Sequence, residues 1–161
     1  MIARLLRSAD FERVLRTRTR ANSAHFAVHH LSDRPSAPAK PARRSDPGEL
    51  STAVKPTLTQ PVDDSAAVAA STVPEALWLG AVVPKRHARR SVTRTLLKRQ
   101  IRAVVTGHAN SLTGGLWVVR LRAPFDRARF VSAASDELRR AARDELETLM
   151  CSAAQRVGAG R

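Results

Sequence analysis

Cysteine is nearly missing from this chain. Cys151 is the only one in 161 residues, which excludes an internal disulfide and a cysteine-built zinc site and suits a reducing compartment. Tyrosine is absent, and the aromatics are Phe11, Phe26, Trp78, Trp117, Phe125 and Phe130. No run of 18 apolar residues occurs, so no transmembrane helix is expected. The first 15 residues turn acidic before an apolar stretch develops, so no signal peptide is expected there. Patterns for phosphate loops, dinucleotide sites, zinc proteases and nucleophile elbows do not occur. The most informative absence is of acid: residues 76–125 contain no Asp or Glu.

Inside that window lies the stretch around which the chain is organised, KRHARRSVTRTLLKRQIR at 85–102, with eight Lys or Arg. The whole chain carries +14 with a pI near 11.7, which points to nucleic acid rather than to a membrane surface. On a helix over 90–108, Leu97, Ile101, Val104, Val105 and His108 form one mainly apolar stripe. Arg94, Lys98 and Arg102 fall in register beside it, and Thr95 and Arg99 extend that arc. Like charges four residues apart repel by about 0.2–0.5 kcal/mol per pair. Arg89 and Arg90 at the helix start oppose its macrodipole at about 0.3–1 kcal/mol each. Two local rules broken together mark a site, and an external anion relieves both violations. A solvated face usually mixes signs, and a localisation tag needs no interleaved apolar residues at helical period.

Around this stretch the order is helix, strand, insertion, strand, helix, strand, helix: one small α/β sandwich, with helices packed on a single sheet. Ser8 caps a first helix carrying Phe11, Val14 and Leu15 that ends near 18–21. Residues 24–31 alternate as a strand, with Phe26, Val28 and His30 on one face and Ala27, His29 and Leu31 on the other. Residues 33–74 hold seven of the nine prolines and no aromatic. This is expected to be a disordered, low-complexity insertion in the single domain 1–161. Residues 77–83 read as a buried strand and 116–121 as another. Asp126 or Ser132 caps a last helix with Val131, Ala134, Leu138, Ala141, Ala142, Leu146, Leu149 and Met150 on its apolar stripe. Its mixed-sign face, Glu145 included, is expected in solvent, and the tail 156–161 is expected to fray. No metal site is expected at His25, His29 and His30, whose strand directions diverge, and scarce acids exclude a carboxylate nuclease centre.

The stretch LGAVVPKRHARRSVTRTLLKRQIR resembles the signature region of the bacterial ribonuclease P protein component family. Lys85, Arg86, Arg89, Arg90, Arg94, Lys98, Arg99 and Arg102 match that pattern in register. Thr95 stands where the family usually has Asn, and Leu96 where it usually has Arg. SADFERVL resembles the family's first helix and HFAVHHL its first strand. The resemblance implies a left-handed βαβ crossover carrying the basic helix, a hand that is rare. It also implies that 85–102, with Thr95, contacts the catalytic RNA, ribonuclease P RNA. It implies further that a cleft lined by Phe11, Leu15, Phe26 and His29 takes the 5′ leader of precursor tRNA. Removal of the leader is then Mg2+-dependent, with Mg2+ held mainly by RNA and no catalytic or metal-binding side chain in this chain. Cytoplasmic work follows, with no membrane and no protein partner implied. The other class that the charge and fold admit is a general basic RNA- or ribosome-binding protein. A self-sufficient nuclease would need the missing carboxylates.

Overall fold

The computed structural model describes residues 2–36 and 74–159. Its centre is a five-stranded mixed sheet in the order β1-β4-β5-β3-β2. The strands are β1 (Ile2–Arg4), β2 (Thr19–Asn22), β3 (Phe26–Leu31), β4 (Leu77–Val82) and β5 (Gly115–Leu121). β4 runs parallel to both β1 and β5, whereas β3 is antiparallel to β5 and to β2. The helices are α1 (Ser8–Leu15), α2 (Ser91–Gly107) and α3 (Asp136–Gly158). α2 is the crossover joining parallel β4 to β5.

β5 reads GLWVVRL, and every residue except Arg120 is buried, as expected for a central strand covered on both faces. Alternation sends Trp117, Val119 and Leu121 to one side, where they meet Phe26, Val28, Leu77 and Leu79 under α2 and α3. Leu97, Ile101 and Val105 of α2 are 0% exposed there, and each such side chain contributes about 1.5–3 kcal/mol. Leu116 and Val118 point the other way, to Leu5 and to Val14 of α1. Thus α2 and α3 cover one face of the sheet and α1 the other. The turn into β5 requires glycine. Gly115 has φ +122°, and a Cβ on Gly114 would lie 1.6 Å from the Pro74 carbonyl oxygen.

Several boundaries differ from the sequence expectation. α1 ends at Leu15, and the segment expected to finish it forms edge strand β2 instead. β1 is a second short edge strand that periodicity does not reveal. α3 begins at Asp136 with Ser135 as N-cap, its side chain accepting from Leu138 N at 3.1 Å. Neither Asp126 nor Ser132 caps it, and Val131 and Ala134 precede it and are exposed. The tail expected to fray is helical to Gly158, because Val157 is buried against the core.

Glu145 is not on the solvent face. It accepts from Ser23 Oγ at 2.5 Å and from His25 N at 2.7 Å, and it pairs with His25 Nδ1 at 2.7 Å. Burial would raise its pKa, but these contacts outweigh burial and hold the carboxyl below its usual range. Most of the predicted insertion, 37–73, lies outside the described residues. Its beginning is fastened to α1: Ser36 Oγ and N donate to buried Asp10 at 2.7 and 3.0 Å, and Arg13 bridges Asp10 and Asp33. Burial would raise Asp10 as well, yet Ser36 and Arg13 keep its pKa lowered.

Candidate nucleic-acid interface

The predicted arc is assembled on one helix and the turn before it. The chain leaves β4 through a turn in which His87 N and Ala88 N both donate to Pro84 O at 3.1 Å. It enters α2 at Arg90, an N-cap residue with no side-chain cap. Lys85, Arg86, Arg89, Arg90, Thr95, Lys98, Arg99 and Arg102 are exposed, and Arg94 is half-buried. Among the described residues none of these cations pairs with an acid, since the ion pairs formed lie on α1, α3 and the β2–β3 turn. The charge is therefore mounted on an ordered scaffold and left uncompensated.

The cations are not equivalent. Arg94 Nη1 donates to the carbonyls of Ala88 at 3.1 Å and Arg89 at 2.6 Å, stapling the turn to α2. Arg90 Nη1 donates to Val131 O at 3.2 Å, and Thr93 Oγ1 donates to Ala133 O at 2.8 Å, which ties the segment before α3 to the start of α2. Between them is a hollow of about 200 Å³ lined by Arg89, Arg90, Arg127, Phe125 and Phe130. His87 accepts from Arg86 Nε at 3.1 Å, and its pKa is lowered by desolvation and by Arg86 and Arg120, which disfavours its charged form. Leu96, which departs from the signature, is buried in the α2–α3 core. At that position the side chain packs instead of reaching outward.

On the opposite face, Phe11 and Leu15 of α1 stand half-buried over the sheet with Leu31, Trp78 and Val82. Phe11 lies where a side chain on Gly80 would be, because a Cβ there would come within 2.4 Å of Phe11 Cε1. The absent side chain on β4 makes the seat for that ring. His29 faces this groove from below. It is 7% exposed and its Nδ1 lies 3.1 Å from Thr17 O, so it forms floor rather than rim.

Phe26 does not belong to this groove. Strand alternation puts it on the α2–α3 face, 0% exposed and edge-on to Phe125 at 5.9 Å. Sequence reasoning missed Trp78, although Trp78, Gly80 and Val82 alternate on one face of β4. The two surfaces meet at the β1 edge, where a hollow of about 260 Å³ is lined by Arg4, Leu6 and Phe11 together with Lys98 and Arg102.

A small α+β fold bearing an unneutralised cationic helix and an aromatic groove defines a polyanion-binding protein. The family model for ribonuclease P matches residues 2–146. A ribonuclease P protein component of Burkholderia pseudomallei is 28% identical over 155 residues, covering 96% of this chain and 85% of that protein. One from Paraburkholderia xenovorans is 35% identical over 79 residues, covering 49% of this chain and 57% of that protein. The Staphylococcus aureus RNase P protein has the same fold, with TM-score 0.54 at 15% identity over 92% of each chain. This chain belongs to the ribonuclease P protein component family, and so works in tRNA processing within the complex formed with ribonuclease P RNA.

Proposed function

We propose that this chain is the RNA-binding subunit of a particle whose catalysis belongs to its RNA. The exposed cations of 85–102 neutralise phosphates of ribonuclease P RNA, and the α1 groove takes the single-stranded 5′ leader of precursor tRNA. The observation that carries this reading is the hollow at the β1 edge, which brings Lys98 and Arg102 beside Phe11. A strand leaving the cationic face has an aromatic to stack on as it enters the groove, and such stacking contributes about 1–3 kcal/mol per base. Phe11 and Trp78 replace Phe26 as the aromatic contacts, with Leu15 beside them and His29 beneath.

Mg2+ supplies charge neutralisation and an activated water in phosphodiester cleavage. Among the described residues no three His, Cys, Asp or Glu are grouped to hold a metal ion. We assign Mg2+ and the chemical step to the RNA. No helix among the described residues is long and apolar enough to cross a membrane, and a cytoplasmic setting suits the RNA partners.

Reconstitution tests the reading. Added to ribonuclease P RNA at low Mg2+, the protein should stimulate cleavage of precursor tRNA, and Phe11→Ala should reduce leader-dependent affinity while leaving affinity for the catalytic RNA intact. Absence of stimulation would move the chain to the general RNA-binding class.

A further inference from the structure

The edge strand farthest from β1 carries a cationic cluster that neither the signature arc nor the groove uses. Arg18, Thr19 and Arg20 at β2 and Arg156 in the last turn of α3 line an open hollow of about 420 Å³. The β2 register slips between Thr19, opposite His29, and Ala21, opposite Val28. The extra residue is Arg20, and a bulge of this kind re-aims a side chain. Here Arg20 lines the hollow with Arg156 of α3 rather than projecting to the α1 face.

The cluster leaves its donors idle. Arg20 Nε is buried with no hydrogen-bond partner. A guanidinium carries about five N–H donors, yet across these three arginines the only guanidinium hydrogen bond formed among the described residues is Arg156 Nη1 to Arg20 O, at 3.0 Å. None of the three pairs with a carboxylate there. An unmatched buried donor costs about 1–3 kcal/mol, and three like charges gathered without an acid add repulsion. Neighbouring His30 gives no relief: its Nε2 is spent on Gly114 O at 3.1 Å, and its other ring nitrogen is also buried without a partner.

We infer that Arg18, Arg20 and Arg156 form a second phosphate site that holds one backbone phosphate of RNA. A carboxylate is saturated by one or two arginine forks, whereas a phosphodiester also offers two unesterified oxygens with a full negative charge and more acceptor directions for three guanidinia. Strands lie about 4.8 Å apart, so the β1 and β2 edges are separated by roughly 19 Å, and the site is distinct from the hollow beside Phe11. The identity of the polyanion rests on the RNA-binding reading above. The existence of an anion site rests on the cluster itself.

The test measures affinity of the full chain for ribonuclease P RNA against salt. The double variant Arg18→Gln/Arg156→Gln changes two exposed side chains and leaves Arg20 in place, and thermal melts monitored by circular dichroism confirm that it folds. Its slope of log K against log salt should fall by about 0.7–0.9, one phosphate's worth, additively with Lys98→Ala. A charge-matched control, Arg139→Gln/Arg143→Gln on the outer face of α3, should leave the slope unchanged. A slope unmoved by Arg18→Gln/Arg156→Gln while Lys98→Ala still lowers it overturns the β2 site and leaves the α2 interface standing. If neither variant lowers the slope, both readings are overturned, and if the control lowers it as much, the effect is net charge and the site is overturned.

Discussion

α2 and α3 lie side by side on the same face of the sheet, and both bury a full apolar stripe, yet they treat charge in opposite ways. α3 is capped by Ser135, places Asp136 and Glu137 in its first turn, and closes Arg139–Asp136 and Arg143–Glu147 on its outer side at 2.9 and 2.8 Å. α2 has no side-chain cap, no acid in its first turn and no ion pair among the described residues. On its outer side α3 closes two of its arginines in ion pairs within the protein. α2 closes none among the described residues, and its apolar side together with the bonds of Arg90, Thr93 and Arg94 keeps it in place.

That contrast can be broken or sharpened by substitution. The largest effect is expected where α2 depends on packing. Leu97 is 0% exposed, so Leu97→Ala should destabilise the chain by about 2–5 kcal/mol, measured by urea unfolding. If the loss is under about 1 kcal/mol, the core does not hold the helix.

Next is acid sensitivity, which belongs to the α3 side. Glu145 is held below its usual pKa by Ser23 and His25. A carboxyl depressed in the folded state contributes stability above its unfolded pKa, and that stability is lost as pH falls through the folded value. Glu145→Gln should therefore be less stable near neutrality and lose less on acidification, as urea midpoints taken across the carboxylate range will show.

A smaller pair of changes tests the caps directly. Ser135→Ala should cost about 1 kcal/mol, whereas Arg90→Asp should stabilise free protein by roughly 0.5–1 kcal/mol through capping and the helix dipole and weaken binding of ribonuclease P RNA. Both would be followed by thermal melts and by RNA titration. A destabilised Arg90→Asp variant would mean that its bond to Val131 outweighs the electrostatics. A very small effect on stability should come from Arg143→Ala, because its ion pair with Glu147 is exposed and screened by solvent. Lys98→Ala should leave stability nearly unchanged while lowering the salt slope for RNA by about one.

The sequence made α2 legible to within a residue at each end, because a 3.6-residue apolar period and a one-sided charge distribution are strong local signals. β5 and β3 were legible for a similar reason. β1 and β2 were not: they are three and four residues long, lie at the edges and carry arginine, so their strand character comes from the neighbour they pair with. The start of α3 was misplaced because 126–135 packs against the beginning of α2 through Arg90 and Thr93 instead of coiling. The cationic half of the candidate site could be read from spacing alone. The aromatic half could not, because whether Phe26 or Trp78 faces α1 depends on which side of the sheet that helix covers. Arg94 shows the limit of motif matching: it is in register with the signature, but its guanidinium is bonded to the protein's own carbonyls.

The uncapped start of α2 also makes the protein a reporter of its own assembly. A ligand that binds only the folded state adds stability that grows with the logarithm of its concentration, about 2.7 kcal/mol at a hundredfold excess over the dissociation constant. RNA that supplies the missing cap should therefore raise the melting temperature of the protein chain. In a cell, molecules left without their RNA would unfold more often than their assembled neighbours and fall first to proteolysis, which would couple the amount of protein to the amount of RNA available to receive it.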